Sequence, residues 1–246
     1  MRSKTTEAIV LTSWPQKERD KLVALLSRDR GLMRAWAYGV RGAKARFGAS
    51  LEPLSLIRLN YRDRDEDEIV RIESAELIRS MFDVQENLRA SVALSYVSEL
   101  VMTFAQPQEN GELYFRMLNA VCEAFTRGAD PLRVVAWTEL WVTKIAGLFP
   151  SLRSCASCGR NLVPPLRFSE PDAGFLCPDC ATDRMHTMPN QVAGILSSIS
   201  SLSVEDFARL DLDSLELFDA RMFVVDLRRH FLGHELKSWE LLQSTL

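Results

Sequence analysis

The chain has 246 residues, of which 47% are hydrophobic and 26% charged, so it can bury enough apolar surface to fold, which argues against extensive disorder. This length allows two domains with separate cores, and we expect two unequal parts. The formal net charge is only -3, yet residues 1–50 carry 11 Lys and Arg against 4 Asp and Glu. A basic segment on an acidic body indicates a site for a polyanion, and a solvated charged face is the alternative.

The first third of the chain predicts strands. Short runs rich in Val, Ile, Leu and aromatic residues are separated by Gly, Pro or charged segments, and they occupy 6–12, 21–27, 31–40, 51–61 and 68–77. The second run alone is equally compatible with a helical turn. Five strands with turns about every ten residues suit a small closed barrel, because closure removes exposed sheet edges. We therefore expect an oligonucleotide/oligosaccharide-binding (OB) barrel over residues 1–80.

Helical periodicity begins near Asp83 and marks the expected domain junction. Apolar stripes at three-to-four spacing run through VQENLRASVALSYVSELVMTF, ENGELYFRMLNAVCEAF and the segment from Asp213 to His230. Members of these stripes include Leu88, Leu113, Leu215 and Phe218. Further helix starts are predicted at Asp130, an N-cap followed by proline, and near Asn190 and Ser203. The predicted fold class is α+β multidomain, with the five-stranded OB barrel followed by a helical domain over residues 81–246.

The N-terminal stretch MRSKTTEAIVLTSW predicts no secretory signal, because its apolar run is short and no small-residue cleavage site follows. No apolar run approaches the ~18 residues that a membrane span needs. We expect a cytoplasmic protein without a membrane partner. In a reducing compartment, closely paired cysteines are more often metal ligands than disulfides.

Four of the five cysteines form two pairs with matched spacing, C-A-S-C at 155–158 and C-P-D-C at 177–180. A two-residue gap lets a tight turn direct both sulfurs at one metal, and Gly159 can adopt the backbone conformation that this turn needs. Four thiolates select zinc, or less often iron, and leave no open position for catalysis. We predict one structural zinc ion in a ribbon at about residues 150–185, with two disulfides as the chemical alternative. The predicted ligands are Cys155, Cys158, Cys177 and Cys180.

Basic residues accumulate around the second and third predicted strands and in the loop GVRGAKARFGA. Loops and faces of a small barrel can bring such cations into one groove around a phosphate backbone. The candidate DNA-binding residues are Lys17, Arg19, Lys21, Arg34, Arg41, Lys44 and Arg46. Trp14, Trp36, Tyr38 and Phe47 lie among them, where exposed aromatic rings can stack bases and buried ones belong to the core.

No other motif indicates an active site, so we expect that the chain is not an enzyme. A Ser/His/Asp series, a phosphate-binding loop and a spaced acid pair are all missing from the sequence. The acidic run 63–68 fits a solvated hairpin tip better than a metal site. His230 and His234 lack the Glu of a zinc-protease motif, and a structural or surface role is expected for them and for His186. Cys122 fits a core thiol.

Taken in order, several of these segments resemble the bacterial RecO family of DNA-repair proteins along nearly the whole chain. The matching stretches are TEAIVLTSW, KERDKLVALLSRDRGLMRAWAYGVRGAKARFGASLEPLSLIRL, AGLFPSLRSCASCGRNL with RFSEPDAGFLCPDC, and FLGHELKSWELL. The resemblance implies an OB domain, a helical domain with the zinc ribbon, and a non-enzymatic recombination mediator. It also implies DNA contacts from the cations of the loop after Gly39. The chain departs from the family pattern at Tyr38, where a lysine is frequent, and at Gly42 and Ala43.

The partners that the resemblance implies are single- and double-stranded DNA, RecR, single-strand-binding protein (SSB), in some members RecF, and indirectly RecA. Proteins of this family anneal complementary strands and help RecA to replace SSB. One alternative is a zinc-ribbon adaptor whose barrel binds protein and not nucleic acid. Another is a metal-dependent nuclease that would use Asp65 and Asp67 of the acidic run.

Overall fold

The computed structural model describes residues 2–16, 18–40, 47–63, 69–107, 110–170 and 173–246. The chain forms two compact units. One comprises Met1–Gly128 together with Ser238–Leu246, and the other comprises Ala129–Lys237. The chain therefore leaves the first unit once and returns to it at its last few residues.

A closed barrel of five strands forms most of the first unit, in the order β1-β2-β3-β5-β4. The strands are β1 (Arg2–Gln16), β2 (Asp20–Ser27), β3 (Gly31–Ala37), β4 (Leu56–Asp63) and β5 (Ile69–Arg79). All neighbours are antiparallel except β3 and β5, which run parallel over three residue pairs. The prediction of a five-stranded barrel is confirmed.

The first strand is longer than its apolar run predicts because its two halves pair with different neighbours. Residues 2–9 pair with β4, and residues 8–16 pair with β2. The fourth strand starts later than predicted. A 3-10 helix (Gly48–Leu51) precedes it, and Pro53, which lacks an N–H for the ladder, and Leu54 with φ 61° delay the extended backbone.

Alternate side chains of the strands fill the barrel, as the two-residue period of a strand requires. The interior contains Ala8, Val10, Val23, Leu25, Met33, Ala35, Ala37, Ile57, Leu59, Tyr61, Val70 and Ile72. Phe47 and Leu51 complete this core. Because these positions already fill the interior, the intervening residues of β3 and β5 face outward.

Helices α1 (Phe82–Gln85), α2 (Leu88–Phe104), α3 (Gly111–Thr126) and α8 (Trp239–Thr245) complete the first unit. The Asn87 side chain caps α2 by accepting from the Ala90 N–H. The C-terminal α8 packs on α2, with the rings of Trp239 and Tyr96 6.1 Å apart. The Ser238 N–H also donates to the Glu99 carboxylate at 2.8 Å, which fixes the start of α8.

The second unit contains helices α4 (Pro131–Ile145), α5 (Asn190–Ser201), α6 (Val204–Ala208) and α7 (Ser214–Leu232) and the short strands β6 (Leu166–Phe168) and β7 (His186–Met188). The predicted caps are present: Asp130 accepts from the Arg133 N–H, and Ser203 from the Asp206 N–H. Trp137 and Trp141 of α4 donate their indole N–H groups to carbonyl oxygens of α5 and of the residue after it.

Some apolar residues that the periodicity assigns to buried stripes are exposed. They are Leu88, Leu113, Leu215 and Phe218. In α7 the buried face carries Leu217, Ala220 and Val224, and of the predicted stripe Val225 is buried with them. A further departure is Arg221 on that same buried face, which periodicity based on apolar residues cannot anticipate. Within the described residues, no helix combines the length and apolar character that crossing a bilayer would require.

Candidate metal centre and nucleic-acid interface

The two cysteine pairs meet in the second unit. The Sγ atoms of Cys155, Cys158, Cys177 and Cys180 all lie within 4.8 Å of one another. The Cys158 and Cys177 sulfurs are 3.7 Å apart. Tetrahedral zinc with bonds of ~2.3 Å separates its sulfurs by about 3.8 Å, whereas a disulfide bond is only ~2.05 Å long. The arrangement fits four ligands of one metal ion, and all four thiols are free.

Each pair sits in a tight turn that directs its sulfurs inward. The Gly159 N–H donates to the Cys155 carbonyl at 2.9 Å, and Gly159 has φ 72°, which a residue with a side chain rarely adopts. In the second turn the Cys180 N–H donates to the Cys177 carbonyl at 3.0 Å. Gly159 therefore adopts the backbone conformation that the sequence predicts for it, and each two-residue gap forms a tight turn.

A small framework supports these turns. Strands β6 and β7 pair antiparallel, and Arg167 forms a bridge with Leu176, the residue before the second pair. Phe175 is buried and packs in a cluster of three rings with Phe168 and Phe223, whose centroids are 5.8 and 5.5 Å from its own and 5.3 Å from each other. Apolar packing within the second unit therefore holds the ribbon in place, in addition to any metal.

Hydrogen bonds prepare part of the site for thiolates. Backbone N–H groups of Cys177 and Cys158 lower the pKa of Cys155 to about 6. The backbone and guanidinium of Arg160 lower the pKa of Cys158, and the Arg160 Nε lies 3.4 Å from its sulfur. For Cys180, a hydrogen bond with Ser157 lowers the pKa, but the neighbouring Cys158 and Cys177 outweigh it and raise the pKa to about 11. Four clustered thiols do not all ionise on their own, so a divalent ion that displaces the protons suits the site.

An aromatic and basic surface lies on the outside of the barrel, at the end of β3. The rings of Trp36 and Tyr38 are 6.1 Å apart with planes 19° from parallel. The Arg71 guanidinium lies 5.1 Å from the centre of the Tyr38 ring. Register explains this placement, because Trp36 pairs with Arg71 across the parallel β3–β5 contact. We call Trp36, Tyr38, Arg71 and the exposed Arg34 the β3 face.

The arginines of the barrel differ in how their charge is compensated. On the outer surface, Arg58 pairs with Glu76 at 2.8 Å, and Arg62 pairs with Glu73. Among the residues that the structure describes, no carboxylate forms an ion pair with Arg34 or Arg71. Among these described residues, the β3 face therefore offers positive charge to an anionic ligand.

The predicted DNA-binding residues do not all share this surface. Lys17, Arg41, Lys44 and Arg46 lie outside the described residues. Arg34 belongs to the β3 face, and Arg19 is exposed in the turn between β1 and β2. Lys21 is mostly buried, with its Nζ 4.0 Å from the Glu52 carboxylate, so its charge is partly compensated.

The candidate aromatic residues also divide. Phe47 belongs to the barrel core, whereas Trp14 and Tyr38 are exposed. Arg71 was absent from the sequence-based candidates. It lies in the strand-like run EIVRIESAEL, where an arginine among apolar residues is the one feature that could have indicated it. Its neighbours in the fold come from β3, more than 30 residues earlier, so the local sequence does not reveal them.

Comparison with known proteins identifies the family. Residues 1–81 match the family described as Recombination protein O N terminal, and residues 85–240 match Recombination protein O C terminal. Similar proteins named DNA repair protein RecO occur in Koribacter versatilis, with 28% identity over 92% of this chain and 93% of the relative, and in Syntrophobacter fumaroxidans, with 28% identity over 99% and 98%. The RecO of Anaeromyxobacter dehalogenans strain 2CP-1 is 30% identical over 82% of this chain and 79% of its own length. Two family matches that together span residues 1–240 with only a short gap, and relatives of similar length, show that the chain belongs to the RecO (Recombination protein O) family.

Proposed function

We propose that the chain is a recombination mediator in DNA repair that binds single- and double-stranded DNA and anneals complementary strands. Membership of the RecO family supports the general role in DNA repair and recombination. The observation that carries the DNA-binding proposal is the β3 face, where Arg34 and Arg71 lie beside two aromatic rings without a described acidic partner.

The physical basis of annealing is charge neutralisation, which requires no bond chemistry. Two strands repel each other through their phosphates, and cations on one protein surface reduce that repulsion while the bases remain free to pair. Arg34 and Arg71 supply such cations on the barrel, and the predicted contacts Arg19, Arg41, Lys44 and Arg46 add to them in the proposal. This mechanism agrees with the proposal that the chain is not an enzyme.

The proposed protein partners follow from the family and not from a described contact surface. Together with RecR, and with RecF in some settings, the chain would help RecA to load onto single strands coated by SSB. In this scheme the barrel holds the DNA and the helices provide surfaces for proteins.

We also propose that the four cysteines hold one structural zinc ion. Thiolates are soft ligands, and the 3.7 Å between the Cys158 and Cys177 sulfurs is close to the spacing around tetrahedral zinc. A bound zinc ion would supply folding energy, because it ties together two turns separated by 18 residues in the sequence. With all four positions taken by sulfur, the ion has no place for a reacting water.

A salt series tests the DNA-binding proposal. Each phosphate contact on single-stranded DNA contributes about -0.7 to the slope of log affinity against log salt, so Arg34→Ala with Arg71→Ala should flatten the slope by about 1.4. The loop variant Arg41→Ala, Lys44→Ala, Arg46→Ala should flatten it by about 2.

Fluorescence anisotropy with a labelled oligonucleotide measures both slopes. The matched control combines Arg28→Ala and Arg58→Ala, which remove two exposed barrel arginines already paired with Glu7 and Glu76. Unchanged slopes in both test variants would refute these site assignments. A wild-type chain that neither binds DNA nor anneals strands, with or without SSB, would refute the proposed function and favour a protein-binding adaptor.

A further inference from the structure

We propose that Trp36, Tyr38 and Arg71 form a base-stacking subsite that makes the barrel selective for single-stranded over duplex DNA. This inference rests on the proposed function, because it assumes that the barrel binds DNA. It goes further by assigning the selectivity to three side chains of the β3 face.

The two rings are placed for a ligand and not for the core. Trp36 alternates with Ala35 and Ala37, which point into the barrel, so its ring is on the outer surface. Tyr38 follows with 39% of its surface exposed and lies nearly parallel to Trp36. The neighbouring strand repeats this alternation, with Val70 and Ile72 inside and Arg71 outside.

The guanidinium of Arg71 gives the aromatic pair a second binding property. It lies 5.1 Å from the Tyr38 ring centre, which is within the range of a cation–π contact. Ring contact holds the guanidinium in place while its N–H groups stay available to a phosphate or a base edge. Within the part of the chain that the structure describes, no carboxylate forms an ion pair with it, so the site there presents a cation beside two aromatic rings.

This combination matches the chemistry of an unpaired nucleotide. Every base has a flat π face that can stack on an aromatic ring regardless of sequence, and every nucleotide carries one phosphate. In a duplex the faces of the bases are already stacked on one another, so an aromatic ring of the protein cannot stack on them. Arginine contacts therefore serve both DNA forms, whereas the Trp36 and Tyr38 rings serve the single strand alone.

Neighbouring residues extend the same row across the barrel. Trp14 pairs with Leu22 and Leu22 pairs with Trp36, so all three point outward together with Arg71. Trp14 is 38% exposed. A single strand that stacks on Tyr38 thus has a further exposed aromatic residue in the same outward row.

The test compares two DNA forms on the full chain. Binding of an oligothymidine and of a mixed-sequence duplex of equal length is measured by anisotropy for the wild type, Tyr38→Ala and Tyr38→Phe. Tyr38→Ala should weaken binding to the single strand by about tenfold and change duplex binding less than twofold. Tyr38→Phe keeps the ring and should bind like the wild type.

Tryptophan fluorescence of the folded protein tests the inference independently of the Tyr38 variants. Oligothymidine should quench wild-type tryptophan fluorescence, and Trp36→Phe should lose most of that quenching while it still binds the DNA. Arg71→Ala should weaken binding to both DNA forms, because it removes a cation that either form can use.

Each outcome decides the inference. Equal losses for single strand and duplex in Tyr38→Ala, or no loss in either, would overturn the stacking subsite while DNA binding itself stands. Wild-type protein that binds neither form would overturn the proposed function as well. Normal DNA binding by Tyr38→Ala combined with failure to bind a purified protein partner such as RecR would assign the β3 face to protein contacts instead.

Discussion

Arg160 links the two cysteine turns through Asp179. Its Nη1 donates to the Asp179 Oδ2 at 2.7 Å, while its Nε lies 3.4 Å from the Cys158 sulfur. Asp179 stands between the two cysteines of the second pair, so a single guanidinium contacts both turns. Four thiolates around a divalent ion carry a net charge of about -2, which this arginine partly offsets.

Replacing Arg160 should therefore weaken metal binding without unfolding the ribbon. We expect Arg160→Ala to lower zinc affinity by about tenfold, as is typical for residues that support metal ligands. Competition with a chromogenic chelator measures this affinity. Arg184→Ala is the matched control, since it removes an exposed arginine just beyond the second pair. Equal zinc affinity in both variants would contradict the role of Arg160.

The metal itself should be needed for an ordered ribbon. Purified protein should contain about one zinc ion per chain, and Cys177→Ser or chelation should make residues 150–188 sensitive to protease, because the turns lose their common ligand. Restoring zinc to the chelated wild type should restore resistance. Metal-free protein with four oxidised cysteines and a resistant ribbon would show that disulfides replace the metal.

Cys122 should behave differently from the other four thiols. Burial raises its pKa from 9.0 to about 12, so the thiol stays neutral near pH 8. A thiol reagent should therefore label four cysteines after chelation and the fifth only in denaturant. Reaction of all five without denaturant would contradict this.

The same pKa shift predicts how stability varies with pH. The neutral thiol is favoured in the folded state, so its contribution is complete below the unfolded pKa of ~8.5 and declines as pH rises towards 12. Between pH 8 and pH 11, the free energy of unfolding should fall less for Cys122→Ala than for the wild type. Urea denaturation measures both. A parallel decline in both proteins would exclude Cys122 as a source.

The ion pair between Glu139 and Arg221 predicts a large mutational effect in the second unit. Both side chains are at least 95% buried, and two hydrogen bonds of 2.8 and 3.1 Å join them. Glu139→Gln should lower the free energy of unfolding by about 3 kcal/mol, because it removes the carboxylate charge that two hydrogen bonds join to a buried guanidinium. Urea denaturation measures this change.

The controls for Glu139 lie in the same unit. Asp226→Asn, which breaks the exposed pair with Arg229, should change stability by about 0.5 kcal/mol or less. Adding Arg221→Met to Glu139→Gln should recover much of the loss, since it removes the buried charge that has lost the Glu139 carboxylate. Failure of the second substitution to recover stability would indicate that packing, and not charge, causes the loss.

Two helical glycines predict opposite responses to alanine. A Cβ on Gly111 would lie 2.5 Å from the backbone nitrogen of Gly31, so α3 would have to move away from the β2–β3 turn. Gly111→Ala should cost about 2 kcal/mol by overpacking. Gly194→Ala in α5 has no atom within 4 Å and should stabilise by about 0.5–1 kcal/mol. Thermal unfolding of both variants provides the comparison.

Local patterns predict much of this fold. The five strand runs, the caps Asp130 and Ser203 and the two cysteine pairs each depend on residues close together in sequence, and the structure contains them. Helix α8 was not predicted, because seven residues carry little periodicity and its position depends on contact with Tyr96.

Long-range pairing determines what the sequence could not predict about the β3 face. Arg71 reaches Tyr38 only because β3 and β5 pair in parallel, a contact between segments more than 30 residues apart. Lys21 and Arg34 both fitted a DNA-binding role by charge. Their positions along the strands separate them. Lys21 lies two residues before the inward-facing Val23 and so has the same orientation, whereas Arg34 directly follows the inward-facing Met33 and so faces outward.

The return of residues 238–246 to the first unit makes the second unit an insertion with two covalent connections, at 128/129 and at 237/238. A chain truncated after Gly128 lacks Trp239, so α2 loses the cover over Tyr96. One proteolytic nick in either connection leaves both units attached through the other. Producing the first unit alone as one chain therefore requires a linker that connects Gly128 to Ser238 in place of residues 129–237.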